Sequence, residues 1–246
     1  MTAPGGVGGA CEAAIQHREA WRRQPGDEGA GLSSAGLLRF FYGPMDCGKS
    51  TLALQIHQNQ VRQGRRGLLL TRFDRSGPAR ISSRIGISSP ALEVTDGMDL
   101  SRVVRDAAPV EYLVVDEAQF LTARQVDQLG LVADELSVDV YAFGIATDFR
   151  SILFPGSARF FEIADQVAPV QVEVLCWCGR TGRFNGRVVD GGLTRQGPTV
   201  IVADTEGVPG PAAADRESVP AAVRYQVLCR RHYRTGQLAP AGTEPQ

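Results

Sequence analysis

The chain has 246 residues, of which 43% are hydrophobic and 22% charged, and its formal net charge is -1. That length suits one α/β domain with a smaller appendage, and the composition is that of an ordinary globular protein. The charge balance excludes a basic chain that coats nucleic acid, and no apolar run approaches the roughly 18 residues that cross a bilayer as a helix.

Residues 1–36 are rich in glycine and alanine and lack sustained periodicity, so they are expected to form a disordered extension; a short helix over 13–23 carrying Trp21 is the alternative. Glu12 and Glu19 interrupt any secretory-type apolar segment before Leu37, which points to a cytoplasmic location. From residue 37 to 168 apolar strand-like runs alternate with helical periodicity, the rhythm of a parallel sheet flanked by helices. Strands are predicted over 37–42, 67–71, 112–115 and 138–143, and helices over 49–63, 99–106 and 122–135.

Between the first strand and the first helix lies Gly43-Pro44-Met45-Asp46-Cys47-Gly48-Lys49-Ser50, followed by Thr51. This is the eight-position P-loop pattern in its confirming context, a strand before it and a helix after it. Its glycines let backbone N–H groups turn toward phosphate oxygens, and the following helix adds the positive end of its dipole. Lys49 is the only lysine in the chain, every other basic residue being arginine. A P-loop uses a compact ammonium on a flexible stem, so lysine is required where arginine would not serve. Lys49 would neutralise the β and γ phosphates of ATP, and Ser50 would hold Mg²⁺.

The strand over 112–115 ends in Asp116 and Glu117, the expected place for a metal-serving acid at the carboxyl end of a parallel strand. Consecutive side chains there point in different directions. Asp116 is thereby available to Mg²⁺, directly or through water, and Glu117 to an acceptor hydroxyl.

After residue 168 the helical rhythm stops and short β-like runs (171–175, 199–202, 225–228) alternate with glycine and proline, which predicts a smaller second domain over 169–234. Residues 207–222 are dense in proline and alanine and are expected to form a flexible loop, and 235–246 a disordered tail. Five cysteines are too few and too unevenly spaced for a disulfide framework. Cys176-Trp177-Cys178 and Cys229-Arg230-Arg231-His232 instead make two ligand pairs on either side of the long loop. Three thiolates and one imidazole form a closed tetrahedral zinc set, with no position open to substrate, so the zinc is expected to be structural.

Taken together, residues 37–233 resemble the thymidine kinases of the bacterial and cytosolic vertebrate type. The resemblance is carried by Phe41 through Met45, Gly48 through Thr51, Ser82-Ser83-Arg84-Ile85-Gly86 and Asp116-Glu117-Ala118-Gln119-Phe120-Leu121. It continues through Gly144, Thr147-Asp148-Phe149-Arg150, Cys176-x-Cys178-Gly179-Arg180 and Tyr225. It implies a RecA-like P-loop sheet with a zinc-binding β domain bearing a lasso loop, and transfer of the γ-phosphoryl group of ATP to the 5′-hydroxyl of thymidine. By the same resemblance Glu117 is the base, Arg84 lies near the reacting groups, and ATP is held by residues 43–51 and 116–119. Met45, Phe120 and Phe149 would wall the nucleoside pocket, with Val200, Val202 and Tyr225 on the lasso. A homotetramer inhibited by thymidine triphosphate is also implied, with no nucleic-acid or membrane partner. Two features depart from the family: the stretch 207–222, and Ala203-Asp204-Thr205 where a glycine pair is usual.

Two other readings compete. One is a P-loop ATPase acting on nucleic acid, since Asp116-Glu117-Ala118-Gln119 is similar to a helicase acid box; the chain has neither a second motor domain nor a basic excess. The other treats the Cys/His module as a binding ribbon and the P-loop as a nucleotide sensor.

Overall fold

The computed structural model describes residues 35–72, 79–199 and 223–240. The chain enters through β1 (Leu38–Tyr42), and α1 (Lys49–Arg62) follows the glycine loop. Next come β2 (Gly67–Thr71), the small hairpin β3 (Arg80–Ser82) and β4 (Ser88–Pro90), and β5 (Leu92–Glu93). Then α2 (Leu100–Asp106), β6 (Tyr112–Val115), a 3-10 turn (Ala118–Phe120), α3 (Ala123–Leu136) and β7 (Asp139–Gly144) complete the central βαβ series. After α4 (Pro155–Ile163) and β8 (Gln166–Pro169), the chain builds β9 (Phe184–Val189), β10 (Gly192–Thr194), β11 (Arg224–Leu228) and α5 (Arg230–Thr235).

Six strands form one parallel sheet in the order β5-β2-β6-β7-β1-β8. The predicted α/β class is therefore the one observed. β6 shows why a continuous apolar run becomes a central strand: its side chains alternate between two cores. Leu113 and Val115 join Leu38, Phe40, Val126 and Leu129 on one face, and Tyr112 and Val114 join Ala53, Leu54 and Phe143 on the other. Each fully buried Val, Leu or Phe among them contributes about 1.5–3 kcal/mol. α1 covers one face while α3 and α4 cover the opposite one, which leaves the carboxyl ends of β1, β6 and β7 at one rim, where open α/β sheets place ligands. α3 starts there with a reciprocal capping box between Thr122 and Gln125, which fixes the turn carrying Ala118–Phe120.

The C-terminal module is a three-stranded antiparallel sheet, β10-β9-β11, closed by α5. Its core consists of Cys176, Leu228, Cys229 and Tyr233, with Trp177 and Phe184 packed against it. The β-like run predicted over 171–175 is not a strand: only Leu175 makes a bridge, to Thr181. Its alternating valines find no partner strand among the described residues, and Val172 and Leu175 remain exposed. The helical rhythm expected to end at residue 168 returns once, in α5. Residues 236–240 also continue past the predicted start of the tail, Leu238 packing on the module's core and the Ala239 N–H bonding Gln226 Oε1. Val200, Val202, the 207–222 stretch and the N-terminal extension through residue 34 lie outside the described residues.

Candidate active site

The glycine loop is shaped by two left-handed residues, Asp46 at φ 67° and Gly48 at φ 76°, which turn successive N–H groups toward one side. Gly48 is also the N-cap of α1 and offers no side-chain cap, so the helix presents its first-turn N–H groups and its dipole to the loop. Cys47 is fully buried beneath the loop; a Cβ on Gly43 would come within 2.4 Å of its Sγ, so the loop closes only over glycine there. Lys49 folds inward and its Nζ donates to the Pro44 carbonyl at 2.7 Å. Met45 is pinned from the other side, its N–H donating to Asn185 Oδ1 on β9 at 2.8 Å.

Asp116 sits at the end of β6 and is almost fully buried. Burial pushes its carboxyl up to about 7, helped by the charge of neighbouring Glu117, while the Ser50 hydroxyl, the Glu117 N–H and the Lys49 ammonium pull the other way. A carboxylate and a hydroxyl converging at that depth are the hard oxygen donors that a divalent cation takes. Glu117 occupies the left-handed region at φ 52°, a conformation that costs a non-glycine residue energy and is concentrated at functional sites. That turn separates its carboxylate from Asp116, and Gln119 Nε2 donates to it. Gln119 is oriented in turn by the Ile145 N–H, which donates to its Oε1 at 3.0 Å. A Cβ on Gly144 would sit 2.9 Å from that same oxygen, so Gly144 is required by close packing.

Asp46, Gly48, Lys49, Ser50, Asp116, Glu117 and Gln119 line a cleft of about 400 Å³ that also receives Thr51, Arg80, Ser83 and Arg84. Arg84 pairs with Asp46 of the loop at 2.7 Å, and its side chain is 79% exposed, a contact weak enough to exchange for an anionic ligand. Next to the cleft is a small pocket of about 50 Å³ walled by Met45, Phe120, Phe149, Phe154 and Tyr225, with Thr147, Asp148, Asn185 and Thr199 as its polar side chains. Phe120 meets Phe154 edge to face at 5.5 Å. The two spaces share Met45, Phe120 and Ile145. A larger cavity, about 840 Å³, lies beside Gly43 and Pro44 and the exposed 170–174 segment, and none of the predicted catalytic side chains reaches it.

Of the residues expected at the site, Met45, Asp46, Gly48, Lys49, Ser50, Thr51, Asp116, Glu117, Gln119 and Arg84 meet in the cleft, and Phe120, Phe149 and Tyr225 meet in the small pocket. Cys47 and Ala118 are buried and line neither space. The sequence reading assigned no role to Asn185 or Arg187. Both are buried polar residues two apart on β9, and their period-2 spacing was the available signal.

In the C-terminal module Cys176, Cys178, Cys229 and His232 place their ligand atoms within 4.8 Å of one another. Cys176 Sγ is 3.4 Å from His232 Nδ1, and Cys178 Sγ is 3.9 Å from Cys229 Sγ. Zinc bonds of about 2.3 Å to sulfur and 2.0 Å to nitrogen at tetrahedral angles give edges of about 3.5 to 3.8 Å, so the four residues fit a zinc ion. The His232 N–H at the start of α5 holds the Cys229 thiol below its usual range, which favours the thiolate a metal needs. Trp177 stacks on His232 at 4.3 Å and fixes the imidazole plane. Cys229→Ser is expected to lower metal content well below one zinc per chain and to open residues 176–178 to limited proteolysis; retention of a full equivalent by elemental analysis would refute this ligand set.

A strand, a glycine loop with one lysine, a helix, and an acid at the end of a neighbouring parallel strand define a P-loop nucleotide-binding protein. A family model described as thymidine kinase matches residues 36–233. The chain belongs to the thymidine kinase family. It is 50% identical over 201 residues to a thymidine kinase of Streptomyces coelicolor, covering 80% of this chain and 88% of that one. With a thymidine kinase of Cutibacterium acnes it shares 49% identity over 217 residues, covering 85% and 94%. At greater distance, a thymidine kinase of Coxiella burnetii is 34% identical over 207 residues, covering 81% and 96%.

Proposed function

We propose that the protein transfers the γ-phosphoryl group of ATP to the 5′-hydroxyl of thymidine, giving thymidine monophosphate and ADP. The observation that carries this reading is the junction of two unlike spaces, a charged cleft around the P-loop and an aromatic pocket, at Met45, Phe120 and Ile145. A nucleoside whose base lies among Phe120, Phe149 and Tyr225 has its sugar directed toward the cleft, where Glu117 stands.

In this reading the backbone N–H groups of residues 43–51 and the start of α1 hold the triphosphate, and Lys49 leaves the Pro44 carbonyl for the β and γ phosphates. Residues 116–119 form the other wall. Asp116 and Ser50 would hold Mg²⁺, which would supply neutralisation of the triphosphate charge when bound. Glu117 accepts the proton of the 5′-hydroxyl as that oxygen attacks phosphorus, and Gln119 keeps the carboxylate aimed. Arg84, released from Asp46, meets the charge that builds on the transferred group. Positioning and electrostatics account for most of such a reaction. The apolar wall accepts the thymine methyl, which separates thymidine from deoxyuridine by only roughly 1–3 kcal/mol.

The zinc set is structural in this reading, since all four positions are filled by side chains. The likeness to the family also supports a cytoplasmic homotetramer restrained by thymidine triphosphate, which sedimentation and inhibition assays check. Among the described residues no helix is long and apolar enough to cross a membrane.

The test is ADP release from ATP and Mg²⁺ with thymidine, deoxycytidine, deoxyadenosine, deoxyguanosine and single-stranded DNA offered separately. Stimulation by thymidine, with thymidine monophosphate recovered, is the expected result. Stimulation by DNA with silence from every nucleoside would overturn it in favour of a nucleic-acid ATPase.

A further inference from the structure

We propose that Arg187 is a positioning residue for nucleoside binding: one buried guanidinium holds Phe149 and Tyr225 in place as the two walls of the base pocket. The inference rests on the pocket assignment made under the proposed function.

Arg187 lies on β9 directly opposite Tyr225 on β11, so the two side chains share one face of the ladder. The Tyr225 hydroxyl accepts from both Nε, at 3.0 Å, and Nη2, at 2.9 Å. Nη2 also reaches the Thr199 carbonyl at 3.4 Å. The flat face of the guanidinium lies over the Phe149 ring, 3.6 Å from its centroid. One cation thus links a residue after β7, a residue before β11 and a ring on each side of the pocket.

The energetics argue against a role in stability alone. Arg187 is 1% exposed and makes no ion pair with any carboxylate among the described residues. Its third nitrogen, Nη1, has no hydrogen-bond partner among the described residues. An arginine buried without a countercharge and with an unsatisfied donor is costly, and a well-packed apolar side chain of similar volume would often be neutral or better. What arginine adds is geometry: a plane that stacks on Phe149 and, in that same plane, two N–H groups that fix one phenol oxygen. Lysine offers no such plane. Asn185, two residues earlier on the same face, holds the Met45 N–H, so β9 supports three walls of the pocket from behind.

The experiment compares the full-length wild type, Arg187→Met, Tyr225→Phe and the double variant in steady-state kinetics, varying thymidine and ATP separately, with zinc content and Tm measured on each. Arg187→Met is expected to raise KM for thymidine at least roughly tenfold while KM for ATP stays within about twofold and zinc stays at one per chain. Tyr225→Phe should shift the same constant in the same direction by a smaller factor. The double variant should be no worse than Arg187→Met, because residues acting as one unit are not additive. If Arg187→Met does not fold, Tyr225→Phe decides alone: a rise in KM for thymidine with KM for ATP unchanged supports the proposal. Equal changes in both constants, or full additivity, would overturn it. A wild type inert toward thymidine would instead overturn the kinase assignment, whereas an active wild type with unaltered thymidine KM in the variants would sink this inference alone.

Discussion

Replacing Glu117 with glutamine is expected to lower kcat by about 10²- to 10⁴-fold, the usual contribution of a positioned general base, while KM for ATP moves by less than about threefold. The substitution isolates charge from shape. Glutamine keeps the side-chain length and an oxygen that can still accept from Gln119 Nε2, and it leaves the left-handed backbone at residue 117 as it is. What disappears, on the proposed assignment, is the proton acceptor for the attacking hydroxyl. Rapid-quench turnover with thymidine checks the outcome, and near-normal turnover would move the base elsewhere. Asp116 is no substitute: it is buried at the end of β6 and committed to the Ser50 hydroxyl and the Glu117 N–H, whereas Glu117 opens into the cleft.

Lys49→Ala should lower rate and ATP affinity together, whereas Glu117→Gln leaves ATP affinity nearly as it is. The ammonium is the one positive charge projected from within the P-loop, and removing a preorganised group aimed at transition-state charge commonly costs about 10²- to 10³-fold in rate, with weaker ATP binding on top. Folding should survive, because among the described residues Lys49 bonds only to nearby P-loop atoms, the Gly43 and Pro44 carbonyls and the Cys47 sulfur. A thermal-shift series makes the distinction. ATP at about 100 times its Kd stabilises a binding-competent fold by about 2.7 kcal/mol, so the wild type should gain Tm with nucleotide and the variant should lose most of that gain. A variant that gains as much as the wild type would show that Lys49 is not a phosphate ligand.

The parts of the site that were legible in the sequence are those where chemistry restricts residue type at short range. Glycines at 43 and 48 around a lone lysine, two acids after an apolar strand, and two ligand pairs of sulfur and imidazole each declare themselves within a few positions. The sheet was legible in the same way, because β6 is apolar at every position and can only be a strand buried on both faces. What stayed hidden depends on contacts between distant segments. In β9 the run Phe-Asn-Gly-Arg alternates apolar or small residues with polar ones, a pattern that ordinarily marks a solvent-facing side. Here that side is turned onto the P-loop and Phe149, so Asn185 and Arg187 are buried. The valines over 170–174 show the converse: they have strand periodicity but no described partner to complete a ladder, and periodicity alone does not create one. The coupling of the zinc module to the pocket was hidden too. It runs through the Tyr233 hydroxyl, which donates to the Phe149 carbonyl at 2.7 Å across a long separation in sequence.

The solitary amine that folds onto the Pro44 carbonyl also sets how this protein answers to chemical labelling. Apart from the chain's own α-amino group, Lys49 is the only site at which an acylating reagent can form an amide, so mass spectrometry of the labelled chain should read the P-loop almost without background. On the proposed phosphate role of Lys49, bound nucleotide should shield that nitrogen, and the extent of acylation then becomes a direct gauge of occupancy.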